Sequence, residues 1–258
     1  MTANPVRIAL LGAGGRMGAA VLEAAAARTD VKVVSALVRS GSEMRGYEYR
    51  GLKYSSDLEG ALAHSDVLLD FSMPESTALA LKACIAAKKP MVTGVTGTSA
   101  ALKAELSAAG KIIPVLAAPN MSLGVALLTR MAEQAAKVLG ADFDVEIHEA
   151  HHKHKKDAPS GTALALGETI ARARGVVTPG KDHDRSGARA PGSIGFSVVR
   201  AGDIVGEHTV LFAGAGERLE LSHRAQSRLG FAQGALGAAH WIAGKPAGVY
   251  QLADTLTT

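Results

Sequence analysis

The glycine-rich turn at residues 12–18 constrains this chain most. A short apolar run, Val6 to Leu11, leads into Gly12, Ala13, Gly14, Gly15, Arg16, Met17 and Gly18, and a helical pattern continues to about Arg28. A strand, a glycine turn and a helix in that order open a parallel sheet with crossover helices. Gly12 permits the tight turn, Gly14 and Gly15 let a pyrophosphate approach the backbone, and Gly18 lets the helix lie close to the sheet. The amides and positive dipole end of that helix then suit phosphates. A merely structural strand-to-helix turn is the competing reading, and the strand before it and helix after it favour dinucleotide binding.

The pattern repeats. Strands are expected near residues 31–38, 67–71, 91–93 and 112–117, with helices between most of them. Ser72 and Glu75 have capping-box spacing around Pro74, and alanine- and leucine-rich sequence follows to Ala87. Open parallel sheets bind ligands at the carboxyl ends of their strands. Two loops there, Thr93, Gly94, Val95, Thr96, Gly97 and Ala118, Pro119, Asn120, Met121, carry small residues and amides suited to flanking a nicotinamide ring, although such turns also occur without a ligand. The second strand should end on an acidic residue if it binds the ribose hydroxyls of NAD, but Val38 and Arg39 stand there. With no carboxylate to repel a 2′-phosphate and a guanidinium to pair with it, the site should accept NADPH at least as well as NADH. Alternatively, Arg39 is simply solvated.

After a helical stretch at residues 123–139 the texture changes. Phe143, Val145 and Ile147 alternate with Asp144, Glu146 and His148, the period of a half-buried strand, and further strands are expected at 193–200, 208–213 and 218–223. The tract 175–192 reads as a loop, and a helix at 231–242 is expected to pack back on the first domain. The fold class is therefore α/β: a Rossmann-type parallel-sheet nucleotide-binding domain, residues 1–121 completed by 231–258, plus an α+β substrate and oligomerisation domain, residues 122–230, with a mostly antiparallel or mixed sheet.

Composition narrows the function. The 258 residues are 47% apolar and 20% charged, as in ordinary globular proteins, with a net charge of +4 and 4% aromatics. That argues for a small anionic ligand and against nucleic acid, which calls for a basic stripe with aromatic platforms. A single cysteine, Cys84, excludes an internal disulfide, Met1 is followed by no charged-then-apolar leader, and no apolar run reaches membrane-spanning length. A cytoplasmic protein with no membrane contact is expected.

The segment from Glu149 through His151, His152, Lys153, His154, Lys155, Lys156 and Asp157 to Ser160, Gly161 and Thr162 carries the chemistry; four of the nine histidines fall between His148 and His154. A metal site on His151, His152 and His154 is disfavoured by the adjoining lysines, by the spacing and by the absence of a second cluster, so no metal is expected. A solvated basic loop is the plain alternative. Against it, Ser160 can cap a helix starting near Gly161, turning the amides of Gly161 and Thr162 toward the basic loop. A helix N-terminus beside lysines and histidines is a carboxylate pocket, and histidine and lysine can serve as general acids there.

These residues, together with Val199 to Thr209 (VRAGDIVGEHT), resemble the dihydrodipicolinate reductase family over nearly the whole chain. The run into DAPSGTA is specific, whereas the glycine turn is shared with many dehydrogenases. The resemblance implies a Rossmann domain built from both chain ends, an inserted substrate domain, and a homotetramer assembled through the substrate domains' sheets. It further implies NADPH or NADH as hydride donor and a cyclic imine dicarboxylate, derived from 4-hydroxy-tetrahydrodipicolinate, as the small-molecule substrate. By the same resemblance His151 is the general acid/base, Lys155 the second proton donor, and His152, Ser160, Gly161 and Thr162 lie at the substrate carboxylates. The chain departs from the family at Val38, where many members are acidic, and at Met73, where many carry arginine. Two other readings stand beside this one. One is another two-domain NAD(P)-dependent dehydrogenase, such as an amino-acid or semialdehyde dehydrogenase; a phosphorylating semialdehyde enzyme would need a nucleophilic cysteine, and Cys84 sits in a helix with core patterning. A non-catalytic NADPH sensor would have no use for a histidine–lysine pair beside a carboxylate pocket.

Overall fold

Aliphatic runs buried on both faces build the centre of a parallel sheet, because crossover helices cover both sides. In the computed structural model, which describes residues 4–176 and 187–256, Ile8, Ala9, Leu10 and Val67 to Leu69 are wholly buried in this way. Backbone packing divides the chain into one unit that runs to Leu123 and resumes at Arg228, and another, Gly124–Ser227.

The first unit comprises β1 (Val6–Leu11), α1 (Arg16–Ala25), β2 (Val31–Leu37), β3 (Glu48–Tyr49), β4 (Leu52–Ser55), α2 (Leu58–His64), β5 (Val67–Asp70), α3 (Pro74–Ala87), β6 (Met91–Thr93), α4 (Ala100–Ala109) and β7 (Pro114–Ala117). The second holds α5 (Leu123–Leu139), β8 (Asp144–His151), α6 (Gly161–Arg174), β9 (Ile194–Arg200), β10 (Gly206–Ala213) and β11 (Arg218–Ala225). The chain then returns to the first unit with α7 (Leu229–Ile242) and β12 (Gly248–Tyr250). The first sheet has the order β12-β7-β6-β5-β1-β2-β4-β3. Its pairs are parallel except β3 with β4. The first βα turn therefore opens at the middle of the sheet, where doubly wound folds bind their ligands.

Helix α7 packs on α1 and on β5, β6 and β7. Small residues allow the approach: a Cβ on Gly234 would stand 1.9 Å from the Met121 carbonyl oxygen. The loop after β7 is thereby fixed against α7.

The second sheet has the order β11-β10-β8-β9. It is mixed, with β10 antiparallel to both neighbours and β8 parallel to β9. Val145, Ile147, Val210 and Phe212 from the strands form one core with Leu128 and Ala132 of α5 and Leu166 and Ile170 of α6. The buried positions of β8 are Val145, Ile147 and Glu149, so the alternation that buries two aliphatics also buries a carboxylate.

The expected strands and long helices are present, with differences at their ends. Helix α1 stops at Ala25, short of Arg28. Ser72 does not cap α3: Pro74 occupies the first helical position, Met73 the cap, and the Ser72 hydroxyl donates to Asp70 Oδ1 at 2.6 Å. Proline's fixed φ starts the helix one residue later than capping-box spacing suggests. Of the expected loop 175–192, residues 177–186 lie outside the described residues. Among the described residues no helix is long and apolar enough to cross a membrane.

Candidate active site

The glycine turn is shaped by close approaches. Gly12 has φ +84°, and a Cβ there would stand 2.5 Å from the Phe71 carbonyl oxygen. A Cβ on Gly18 would lie 2.4 Å from the Gly12 oxygen, so α1 rests directly on the turn. The amides of Gly12 and Ala13 both donate to the Leu37 carbonyl at 3.0 Å, which assigns them to the turn itself. The helical ladder begins with Ala19 N–H on Gly15 O, leaving the Arg16, Met17 and Gly18 amides ahead of it at the positive end of the dipole.

Beside this turn a cavity of about 450 Å³ opens at the carboxyl edge of the sheet. Of the sequence-predicted residues, Gly15, Arg16 and Met17, then Gly94, Val95 and Thr96, then Pro119, Asn120 and Met121 line it; Gly12, Ala13, Gly14, Arg39 and Ala118 do not. Phe71, Ser72, Arg228 and Phe231 also line it, and the motif reading had not singled them out as ligand contacts. The donor set fits a dinucleotide: side-chain-free backbone at Gly15, helix-terminal amides, two guanidiniums and an apolar floor.

The edge is tied together by Asp70, wholly buried at the end of β5. Its carboxylate accepts from the Ser72 amide at 2.9 Å and hydroxyl at 2.6 Å, from Thr77 Oγ1 at 2.6 Å and from Thr93 Oγ1 at 3.1 Å. Burial raises its pKa, and these hydrogen bonds oppose that rise. At the end of β2, Val38 is buried and Arg39 exposed. Val38 walls the turn, since a Cβ on Gly14 would be 3.3 Å from its Cγ1.

In the second unit the histidine–lysine run is sorted by burial: His151, His152 and Lys155 are half-buried, whereas Lys153, His154 and Lys156 are exposed. Helix α6 starts at Gly161 as expected, and Ser160 caps it by accepting from the Ala163 amide at 3.2 Å. Lys155 Nζ lies 2.8 Å from Asp157 Oδ1. His151 Nδ1 is 2.6 Å from Glu149 Oε2, and Arg200 bonds both carboxylate oxygens of Glu149, at 2.8 and 2.7 Å. The Ser160 amide donates to Glu149 Oε1 at 2.9 Å, and Ser160 Oγ is 3.1 Å from His208 Nε2. The His208 and His151 rings meet edge to face, their centroids 5.2 Å apart.

Two of these groups titrate far from their ordinary values. Burial alone would raise Glu149, but the hydrogen bonds from His151, Arg200 and Ser160 prevail and hold it down to about 2. Burial, reinforced by His151, pushes His208 down to about 4. Glu149 is thus an anion and His208 neutral at physiological pH. Motif reading reached the histidines and Lys155 but not the roles of Glu149, Arg200 and His208. The phase of β8 offered one signal, because Glu149 falls on the buried side with Val145 and Ile147. Among the described residues no group of three or more His, Cys, Asp or Glu side chains is arranged to hold a metal ion.

A glycine turn at the centre of a doubly wound sheet, joined in one chain to an α+β unit with a buried acid–base cluster, defines the class of two-domain NAD(P)-binding oxidoreductases. Within that class the family is specific. The model for the dihydrodipicolinate reductase N-terminus matches residues 6–121 and that for its C-terminus residues 124–256. The chain belongs to the dihydrodipicolinate reductase family. It is 48% identical to the 4-hydroxy-tetrahydrodipicolinate reductases of Alkalilimnicola ehrlichii and of Thiobacillus denitrificans, in each case over 97% of this chain and 98% of the relative. Its fold is similar to that of a dipicolinate-bound dihydrodipicolinate reductase from a Paenisporosarcina species, with a TM-score of 0.77 at 22% identity, covering 98% of this chain and 100% of that one.

Proposed function

We propose that this chain reduces the cyclic imine dicarboxylate derived from 4-hydroxy-tetrahydrodipicolinate to tetrahydrodipicolinate, in the synthesis of diaminopimelate and lysine. The observation that carries the reading is the sorting of the basic run. The half-buried members are His151, His152 and Lys155, and they stand in the same unit as the capped N-terminus of α6, which suits carboxylates.

When bound, the nicotinamide supplies hydride to the unsaturated ring. The first unit takes the dinucleotide, with Gly12, Ala13 and Gly14 shaping the turn, Gly15, Arg16 and Met17 at the phosphates, and Gly94, Val95, Thr96, Ala118, Pro119, Asn120 and Met121 around the ring. Arg39 receives a 2′-phosphate, and Val38 leaves no carboxylate to repel it, so NADPH is used at least as well as NADH. The second unit takes the substrate: Ser160 caps the helix whose Gly161 and Thr162 meet one carboxylate, and His152 meets the dicarboxylate from the loop. His151 acts as general acid/base and Lys155 as second proton donor, supplying the proton that balances the added hydride.

The protein works in the cytoplasm as a homotetramer built through the second unit's sheet. The face of β10 away from the core supports this, with Glu207, Thr209, Leu211 and Ala213 half-buried in a single chain. The test is a spectrophotometric assay of NADPH oxidation with enzymatically generated substrate. Turnover dependent on that substrate is expected; NADPH binding with no turnover would leave a sensor.

A further inference from the structure

The mechanism needs an imidazole with a defined proton, and the geometry around His151 supplies one. Glu149 Oε2 lies 2.6 Å from His151 Nδ1, while Arg200 Nη1 and Nη2 and the Ser160 amide fill the remaining acceptor positions of the carboxylate. Arg200 is itself braced on the carbonyls of Val199 at 2.8 Å and Asp157 at 2.6 Å. Strand pairing sets Arg200 opposite His151 and Val198 opposite Glu149, so the guanidinium arrives from β9 in register.

We propose that Glu149 is a positioning residue that fixes the tautomer of His151: Nδ1 carries the proton given to Glu149, and Nε2 is the atom that exchanges protons with substrate. The proposal rests on the reading of His151 as the acid/base. An ionised carboxylate accepts hydrogen bonds and donates none, so the nitrogen facing it is the donor and the other nitrogen is left for chemistry. The charged and titratable groups of the cluster agree: Glu149 on the ring's own strand and His208 on β10 meet the ring, Arg200 on β9 meets Glu149, and Asp157 in the following loop, paired with Lys155, meets Arg200 through its carbonyl. The arginine balances the carboxylate, and His208 packs edge-on without competing for Nδ1.

On the far side, a Cβ on Gly206 would stand 3.1 Å from His151 Nε2 and 3.4 Å from Cδ2. Glycine at that position keeps the approach to Nε2 open. The competing role for Glu149 is a brace that joins β8, β9 and the start of α6. A brace would be indifferent to which nitrogen of His151 is protonated.

The test is 15N NMR of the full chain labelled at histidine, with the His151 signals assigned by their loss in His151→Gln. In the neutral ring Nδ1 is expected to be the protonated nitrogen and Nε2 the bare one. Glu149→Gln should lower kcat about 10²-fold with KM for NADPH unchanged. Gly206→Ala should lower kcat without altering the tautomer. A wild-type ring protonated at Nε2, or Glu149→Gln with wild-type kcat, would overturn the proposal. If Glu149→Gln does not fold, the wild-type tautomer and Gly206→Ala decide. Retained turnover in His151→Gln would instead sink the acid/base reading, a result distinguishable from the tautomer, which is read without turnover.

Discussion

Lys155 has about a fifth of its side chain exposed (21%) and is held by Asp157, a placement that suits the proton-donor role proposed for it. Lys155→Ala removes that ammonium and leaves the sequence of the dinucleotide-binding turn unchanged. Turnover should fall by about 10²- to 10⁴-fold while NADPH affinity, measured by fluorescence titration, stays near wild type. Retained turnover would demote Lys155 to a structural lysine. Arg39 is exposed at the end of β2, and its proposed pairing with a 2′-phosphate rests on charge. Arg39→Ala should weaken NADPH binding and leave NADH binding little changed; an equal loss for both would contradict the assignment. Residue types were readable because chemistry concentrates them: histidines and lysines within a few positions, glycines at a turn. Partnerships were not. Glu149 meets Ser160 across 11 residues and Arg200 across 51, and no local pattern encodes which arginine from another strand arrives.

Elements were legible in proportion to their length and burial. Strand β1 and helix α5 follow their hydrophobic patterns to the residue, because each buries a continuous face. The hairpin of β3 and β4 and the three-residue β12 carry too few side chains to show a period, so edge pairing alone reveals them. Helix α2 had a readable start, since Asp57 accepts from the Gly60 amide at 2.9 Å, but seven residues make a weak periodic signal. The Ser72 signal misled because Pro74 takes the first helical position and makes Met73 the cap, while the Ser72 hydroxyl donates to the buried Asp70 carboxylate. The contact between α1 and the turn yields a prediction at this scale. Gly18→Ala would press a methyl against the Gly12 and Ala13 carbonyl oxygens, 2.4 and 2.5 Å away. The helix must then lift, costing about 1–3 kcal/mol, and binding of NADPH and NADH should weaken together. Unchanged dissociation constants would show that the turn tolerates the shift.

Across the whole molecule, stability should carry the signature of the buried cluster. His208 titrates near 6.5 when unfolded and near 4 when folded, so the unfolded chain takes up that proton first as pH falls. Its contribution is complete above about pH 6.5 and is lost progressively down to about pH 4. Glu149, shifted from 4.5 to about 2, adds a second loss below pH 4.5. Thermal melts from neutral pH to pH 4 should show a falling Tm, with a shallower fall in His208→Gln; equal slopes would contradict the assignment. On the proposed function, hydride comes from the cofactor held by the first unit and protons from side chains of the second. Isotope transfer tests that most directly: turnover with NADPH stereospecifically deuterated at the nicotinamide C4, followed by mass spectrometry and NMR of the tetrahydrodipicolinate formed. One deuterium on a ring carbon, with the balancing hydrogen drawn from solvent, is the predicted result. Product carrying only solvent hydrogen from both prochiral labels, or no product at all, would contradict the account.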